Sequence, residues 1–171
     1  MVKRKKLNHL LSVVSTPHFP YRTGRRFRMK HRVVLGIGGN VGDVLRRFEH
    51  LFFYLQHSPF LSIVESSPMV KNPPFGFLAQ EDFHNALLVI ETNLTPRALL
   101  RYVLRVERVF GRKRLFKDGP RTLDIDLIFY DDITMKSTRL TLPHPGWMER
   151  SSVLIPLSYM SGKREHFRQK Q

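Results

Sequence analysis

Asp124-Ile125-Asp126 is the tripeptide in this sequence best suited to chemistry. On a strand, alternate side chains share a face, so the two carboxylates are expected roughly 6–7 Å apart along the chain, with Ile125, Leu127 and Phe129 turned the other way. Two carboxylates aimed at one place make a hard oxygen site suited to Mg²⁺, which keeps water and substrate phosphate as its other ligands. Taken alone, an Asp-x-Asp pair is more often a solvated strand face. The approach to it tilts the balance: Arg112, Lys113, Arg114 and Lys117 lead into Gly119-Pro120-Arg121. Carboxylates for a metal beside cations for phosphate are the equipment of phosphoryl transfer.

Other candidates are weaker. Gly36-Ile37-Gly38-Gly39-Asn40-Val41-Gly42 has Val41 where a dinucleotide fingerprint needs glycine, and no Gly-Lys-Ser/Thr follows, so it predicts a tight strand-to-helix turn. Arg97, Arg101, Arg105 and Arg108 fall at helical spacing and predict a wet helix face; only Arg112 lies beyond the helix-ending Gly111. Glu107 borders the apolar face of that helix, as a polar anchor or a simple edge residue. His144 is held between Pro143 and Pro145, near Arg150.

The elements that must position these residues begin at Val33. Residues 33–37 read as a buried strand, and Asp43 caps a helix with Val44, Phe48, Leu51, Phe52 and Leu55 on one face, ended by Pro59. A strand over 60–65, a Pro/Gly-rich loop over 68–82 and a strand over 86–91 follow. Thr95 and Pro96 open a second helix, with Leu99, Val103 and Phe110 inward, and residues 125–130 form a further strand. Residues 139–142 add a candidate edge strand, and 147–157 short helical pieces. Strand–helix–strand repeated twice predicts an α+β, ferredoxin-like sandwich with a mainly antiparallel sheet.

Composition bounds the rest. The chain has 171 residues and no cysteine, which excludes disulfides, thiolate nucleophiles and Cys-type metal sites. Its length suits one core without a structural staple, and no apolar run approaches a membrane span. The net charge of +15 is uneven: residues 1–32 hold ten Lys/Arg and no Asp/Glu, while 33–171 carries nineteen basic and fourteen acidic residues, a net of +5. The expected division is a basic, partly ordered N-terminal extension over 1–32, preferred to a targeting peptide, a domain over 33–160, and a basic tail over 161–171. The extension would attract polyanions whatever the domain does.

The stretch Lys117-Asp118-Gly119-Pro120-Arg121-Thr122-Leu123-Asp124-Ile125-Asp126 closely resembles the signature of the 6-hydroxymethyl-7,8-dihydropterin pyrophosphokinase family of folate biosynthesis. The resemblance spans about 33–160. It includes Gly38-Gly39-Asn40, Asn72-Pro73-Pro74-Phe75-Gly76, Phe83-His84-Asn85-Ala86, Glu107 with Gly111-Arg112-Lys113-Arg114, and Leu142-Pro143-His144-Pro145 with Arg150. The fold expected from pattern is also the family's.

What the resemblance implies is transfer of pyrophosphate from ATP to 6-hydroxymethyl-7,8-dihydropterin, giving AMP and the pterin pyrophosphate. Asp124 and Asp126 would bind two Mg²⁺ ions and, with Arg112 and Arg121, form the catalytic set. Gln80, Glu107, Arg112, Arg114, Arg121, His144 and Arg150 would serve ATP. Asn72, Pro73, Phe75, Phe83 and Asn85 would form the pterin pocket, Asn85 by hydrogen bonds and Phe83 by stacking. Two positions depart from the family: Ser152 stands where a second stacking aromatic is usual, and Asp118 where a tryptophan is common. Trp147 is either a substitute for the missing ring or core filling. The implied enzyme is a cytoplasmic monomer with small-molecule substrates, no specific nucleic acid and no membrane. The alternative is a basic RNA-binding ferredoxin-like module, although the aromatic strand motif of such modules is absent.

Overall fold

The computed structural model describes residues 1–113 and 115–161. Although charge sets residues 1–32 apart, the sheet begins inside them, with β1 (Lys3–Lys6), β2 (Ser12–Ser15) and β3 (Tyr21–Arg22). There follow β4 (His31–Gly39), α1 (Val44–Gln56), β5 (Leu61–Ser66), β6 (Met69–Asn72), β7 (Phe83–Thr92) and α2 (Pro96–Val109). The chain continues through β8 (Asp124–Tyr130), the short pair β9 (Met135–Lys136) and β10 (Thr141–Leu142), a 3₁₀ turn at Trp147–Glu149, and α3 (Ser151–Ser158).

The fold is α+β, and every described strand pairing is antiparallel. β5, β7, β4 and β8 lie side by side in that order, with α1 leaving β4 and α2 leaving β7, the split βαβ arrangement of a ferredoxin-like sandwich. β6 continues the row of β5 along β7. β2 and β3 pair outside β6 and β5, and β1 is the outermost strand. Four exposed cations on β1, Lys3 to Lys6, discourage edge-to-edge pairing with another sheet.

Strand alternation sends two sets of apolar residues to opposite faces. Val33, Leu35 and Ile37 of β4 join Phe48, Leu51 and Leu55 of α1 and Leu99 and Val103 of α2 in the larger core. Val34 joins Leu87, Ile128 and the α3 residues Val153 and Leu157 in the smaller one. The helix starts follow local chemistry: the Asp43 side chain accepts from Arg46 N–H, and Thr95 from Ala98 N–H ahead of Pro96.

Part of the N-terminal segment is core. Phe19 is fully buried with Val14 under α1, and burial of such a ring contributes about 1.5–3 kcal/mol. Glu49 of α1 fastens the segment by accepting from Thr16 Oγ1 (2.6 Å) and His18 N–H (3.0 Å) and pairing with His18 Nδ1 (2.6 Å). The His18 ring stacks on Phe52 at 4.6 Å. Of the tail expected over 161–171, only Ser161 is among the described residues.

Candidate active site

The site is built on β4. Gly38 stands between Asn85 of β7 and Asp124 of β8, and Gly36 between Leu87 and Asp126. Because paired residues share a face, two glycines leave a bare strip of sheet with an amide on one side and two carboxylates on the other. A methyl group at Gly38 would displace the Asn85 amide, since its Cβ would lie 2.5 Å from Asn85 Oδ1. These glycines therefore belong to the strand, not to the strand-to-helix turn expected from their clustering. Gly39 faces the other way, and its Cβ would meet Thr122 O at 2.6 Å, so it lets the Arg121–Thr122 backbone close against β4.

Asn40, just beyond, joins three segments. Its N–H donates to Arg121 O (3.0 Å), its Oδ1 accepts from Arg121 N–H (2.9 Å), and its Nδ2 donates to Gln80 Oε1 and Glu81 O (2.9 Å each). Sequence reasoning gave Asn40 no more than a place in a turn. The available signal was an asparagine ending a strand after two glycines.

A cleft of about 320 Å³ opens above the strip. Asn72, Pro73, Phe75, Phe83 and Asn85 all line it, so the structure brings the expected pterin residues together. Asn85 Nδ2 donates to Asn72 Oδ1 at 2.7 Å, which orients the Asn85 amide. Phe83 is buried beneath the Arg121 guanidinium, 5.2 Å from the ring centroid. Phe75 is 79% exposed at the mouth, with Arg150 at 5.9 Å over its ring. Ser152 lines the cleft, whereas Trp147 is buried against Phe129 in the smaller core, so Trp147 fills core and is no second stacking ring.

The cleft continues into a basic lobe that shares Asp124, Asp126, His144, Arg121 and Arg150 with it and adds Arg112, Lys113 and Lys117. Arg112 Nη1 donates to Glu107 Oε1 (2.6 Å) and Asp124 Oδ1 (2.7 Å), and Arg121 Nη1 donates to Asp124 Oδ2 (3.0 Å). Asp124 thus has two cations, while Asp126 forms no ion pair among the described residues. Burial, then the neighbouring Asp124 and Glu107 carboxylates, push Asp126 well above the usual carboxylate range, against the pull of Arg150 and Arg112. His144 is lowered from 6.5 by burial and Arg150, with Asp124 opposing. Its Nδ1 accepts from Gly146 N–H (3.2 Å), so the neutral ring carries its proton on Nε2.

Two expected ATP residues sit behind this surface. Glu107 is 3% exposed, and its Oε1 accepts from Ile125 N–H (2.8 Å) as well as from Arg112. Burial raises it, opposed by those two donors. It is the polar anchor of the two alternatives weighed from sequence. The Gln80 amide is taken up by Phe77 O (2.6 Å), Asp118 O (2.8 Å) and Asn40, away from the cleft. Arg114 lies outside the described residues. Asp118, in the place of the common tryptophan, adopts φ 57° against Gly76, at φ 79°, while Phe116 and Phe77 meet edge to face at 5.2 Å across the two loops.

No group of three or more His, Asp or Glu able to hold a metal occurs among the described residues. The donors nevertheless suit Mg²⁺. Asp126 is a carboxylate with no ion pair among the described residues, beside a second carboxylate, and phosphate would supply further oxygens.

An α+β sandwich whose cleft joins an aromatic, amide-lined pocket to a carboxylate pair and a basic lobe is the framework of a group-transfer enzyme with a phosphorylated substrate. Residues 34–161 match the family profile of 7,8-dihydro-6-hydroxymethylpterin-pyrophosphokinase, and the chain belongs to this family of pyrophosphokinases. It is 40% identical over 148 residues to the 2-amino-4-hydroxy-6-hydroxymethyldihydropteridine pyrophosphokinase of Helicobacter pylori, covering 85% of this chain and 91% of that protein. The enzyme of the same name from Campylobacter jejuni is 40% identical over 139 residues, 81% of this chain and 88% of that protein. A folic acid synthesis protein of Dictyostelium discoideum is 35% identical over 126 residues, 74% of this chain and 19% of that longer protein. The RNA-binding alternative has no support from these relatives.

Proposed function

We propose that the chain transfers the β,γ-pyrophosphoryl group of ATP to the hydroxymethyl oxygen of 6-hydroxymethyl-7,8-dihydropterin, in folate biosynthesis. The carrying observation is the cross-strand row Asn85–Gly38–Asp124, which sets a hydrogen-bonding amide and a carboxylate on either side of a bare strip. The hydroxymethyl oxygen attacks the β-phosphorus and gives up its proton to solvent, the bond from that phosphorus to the bridging α-phosphate oxygen breaks, and AMP leaves with that oxygen and the bonding electrons. Asn85, oriented by Asn72, reads the polar edge of the pterin. Phe83 supplies one stacking face, and the exposed Phe75 folds over the mouth as the other in place of the ring absent at Ser152.

Arg121, Arg150 and the Nε2–H of His144 hold phosphate oxygens. Arg112 is aimed by Glu107, which is a positioning residue and does not itself touch ATP. Gln80 acts in the same indirect way, by tying the 73–82 and 111–121 loops together, and Arg114 adds a further cation. Asp124 and Asp126 would hold two Mg²⁺ ions, whose chemistry when bound is neutralisation of phosphate charge. Since displacement at phosphorus asks mainly for positioning and neutralisation, these residues account for the requirements of the step. The enzyme works as a cytoplasmic monomer.

The test is AMP release measured with ATP, Mg²⁺ and the hydroxymethylpterin, together with thermal shift. An ATP analogue with Mg²⁺ should raise Tm, and the pterin should raise it further. No AMP release, or no response to the pterin in the presence of nucleotide, would overturn the assignment.

A further inference from the structure

The face of the sheet that carries the site has a second open cleft at its other end. Arg32 and Glu91 are cross-strand partners on β4 and β7, six residues along each strand from Gly38 and Asn85, so about 20 Å away. By alternation they lie on the same face as the catalytic strip, with α3 packed between. The 22–32 segment folds over this end and brings Arg22, Arg25, Arg26 and Arg28 to the cleft beside Arg32. Among the described residues none of these five guanidinium groups forms an ion pair.

Five arginines gathered in one cleft with no ion pair among the described residues repel one another, and a multiply charged anion relieves that repulsion. The segment is anchored at both ends, by Thr23 N–H to Val64 O (3.0 Å) and Lys30 N–H to Asn93 Oδ1 (2.9 Å), so the cations are presented by a fixed loop. Phe27 and Met29 are half-buried and do not project, unlike the apolar side chains of a membrane-inserting segment. Two carboxylates also line the cleft. Glu65 is satisfied by Ser161 N–H (3.0 Å) and Oγ–H (2.8 Å), whereas Glu91 Oε2 has no hydrogen-bond partner among the described residues. A ligand that fits therefore carries several phosphates and, on the same molecule, a hydroxyl or amino donor. We propose that this cleft is a second, non-catalytic site for a nucleoside polyphosphate, with the phosphates on the arginines and a ribose hydroxyl or base amino group on Glu91.

Equilibrium dialysis of the full chain with ATP and Mg²⁺ at about 0.15 M salt, where nonspecific attraction is screened, tests this. The expected result is about two ATP bound per chain, falling to about one in Arg25→Glu/Arg26→Glu/Arg28→Glu, with KM for ATP in turnover within about two-fold of the parent. Arg25→Ala/Arg28→Ala gives the milder version should charge reversal disturb folding, and Glu91→Ala should remove the preference for ATP over inorganic tripolyphosphate. If the catalytic reading alone failed, one ATP would bind and the triple substitution would remove it. One ATP that the substitution leaves in place overturns the present proposal. So does tripolyphosphate binding the cleft as tightly as ATP, or a single-stranded oligoribonucleotide competing there more tightly than ATP.

Discussion

Arg112 and Arg121 reach carboxylate oxygens at 2.6–3.0 Å, whereas the arginines at 22–32 have no carboxylate partner among the described residues, although both groups line clefts on one face of one sheet. The difference lies in what each group is held by. Arg112 is fixed between Glu107 and Asp124, so the fold sets its position, as the proposed positioning role requires. The 22–32 arginines sit on strand ends and a loop anchored at Thr23 and Lys30, with no carboxylate beside them among the described ion pairs. Pairing a cation lowers its pull on a ligand and raises the precision with which it is placed.

The largest effect should come from the carboxylates that make this pairing possible. Asp124→Asn and Asp126→Asn should each lower kcat roughly 10³-fold with the fold intact, since the amide loses the charge that holds Mg²⁺ and, at 124, the ion pairs to two arginines. Near-normal AMP release by either variant would break the assignment. The N-terminal segment is itself divided, because residues 12–21 are structural while 22–32 carry charge. Phe19→Ala should cost about 3–5 kcal/mol in urea unfolding, the usual range for truncating a buried ring, and so separate the two parts.

The two groups of arginines can then be compared directly. Arg112→Ala leaves Glu107 buried without its cation and should cost about 3 kcal/mol, while Arg25→Ala should stay within about 0.5 kcal/mol. Equal losses in the two variants would show that pairing is not what distinguishes the regions. A smaller loss than that of Arg112→Ala is expected at the latch on α1. Burial alone would raise Glu49, but hydrogen bonds from Thr16 and His18 outweigh it and lower the group from 4.5. A depressed carboxylate stabilises the fold above its unfolded value, and that contribution is lost as pH falls through the folded value. Stability should therefore decline below pH 4.5 more steeply in the parent than in Glu49→Gln, read from Tm against pH, and Glu49→Ala should cost about 1–2 kcal/mol at neutral pH.

Where local chemistry decides, residues were legible from sequence alone. The caps Asp43 and Thr95, the apolar face of α1 and the alternation that puts Asp124 and Asp126 together need only neighbours within a few residues. The family resemblance likewise named Asn72, Pro73, Phe75, Phe83 and Asn85, which line one cleft. Several features depend on residues far apart in the chain. Gly36 and Gly38 acquire a role only when β7 and β8 flank them, and Asn40 only when the 80–81 and 121 segments meet it. Trp147 becomes core only because Phe129 lies under it.

The same holds for the basic N-terminus, whose composition set it apart as a partly ordered extension. The amino-acid order of residues 1–32 determined its charge and the alternation of its strands, because those are properties of each residue and its immediate neighbours. That Val14 and Phe19 close the core under α1, and that Glu107 serves Arg112 and not solvent, was decided by the tertiary structure. Burial and pairing are relations between segments brought together only by the folded sheet and helices, and spacing along the chain does not encode them.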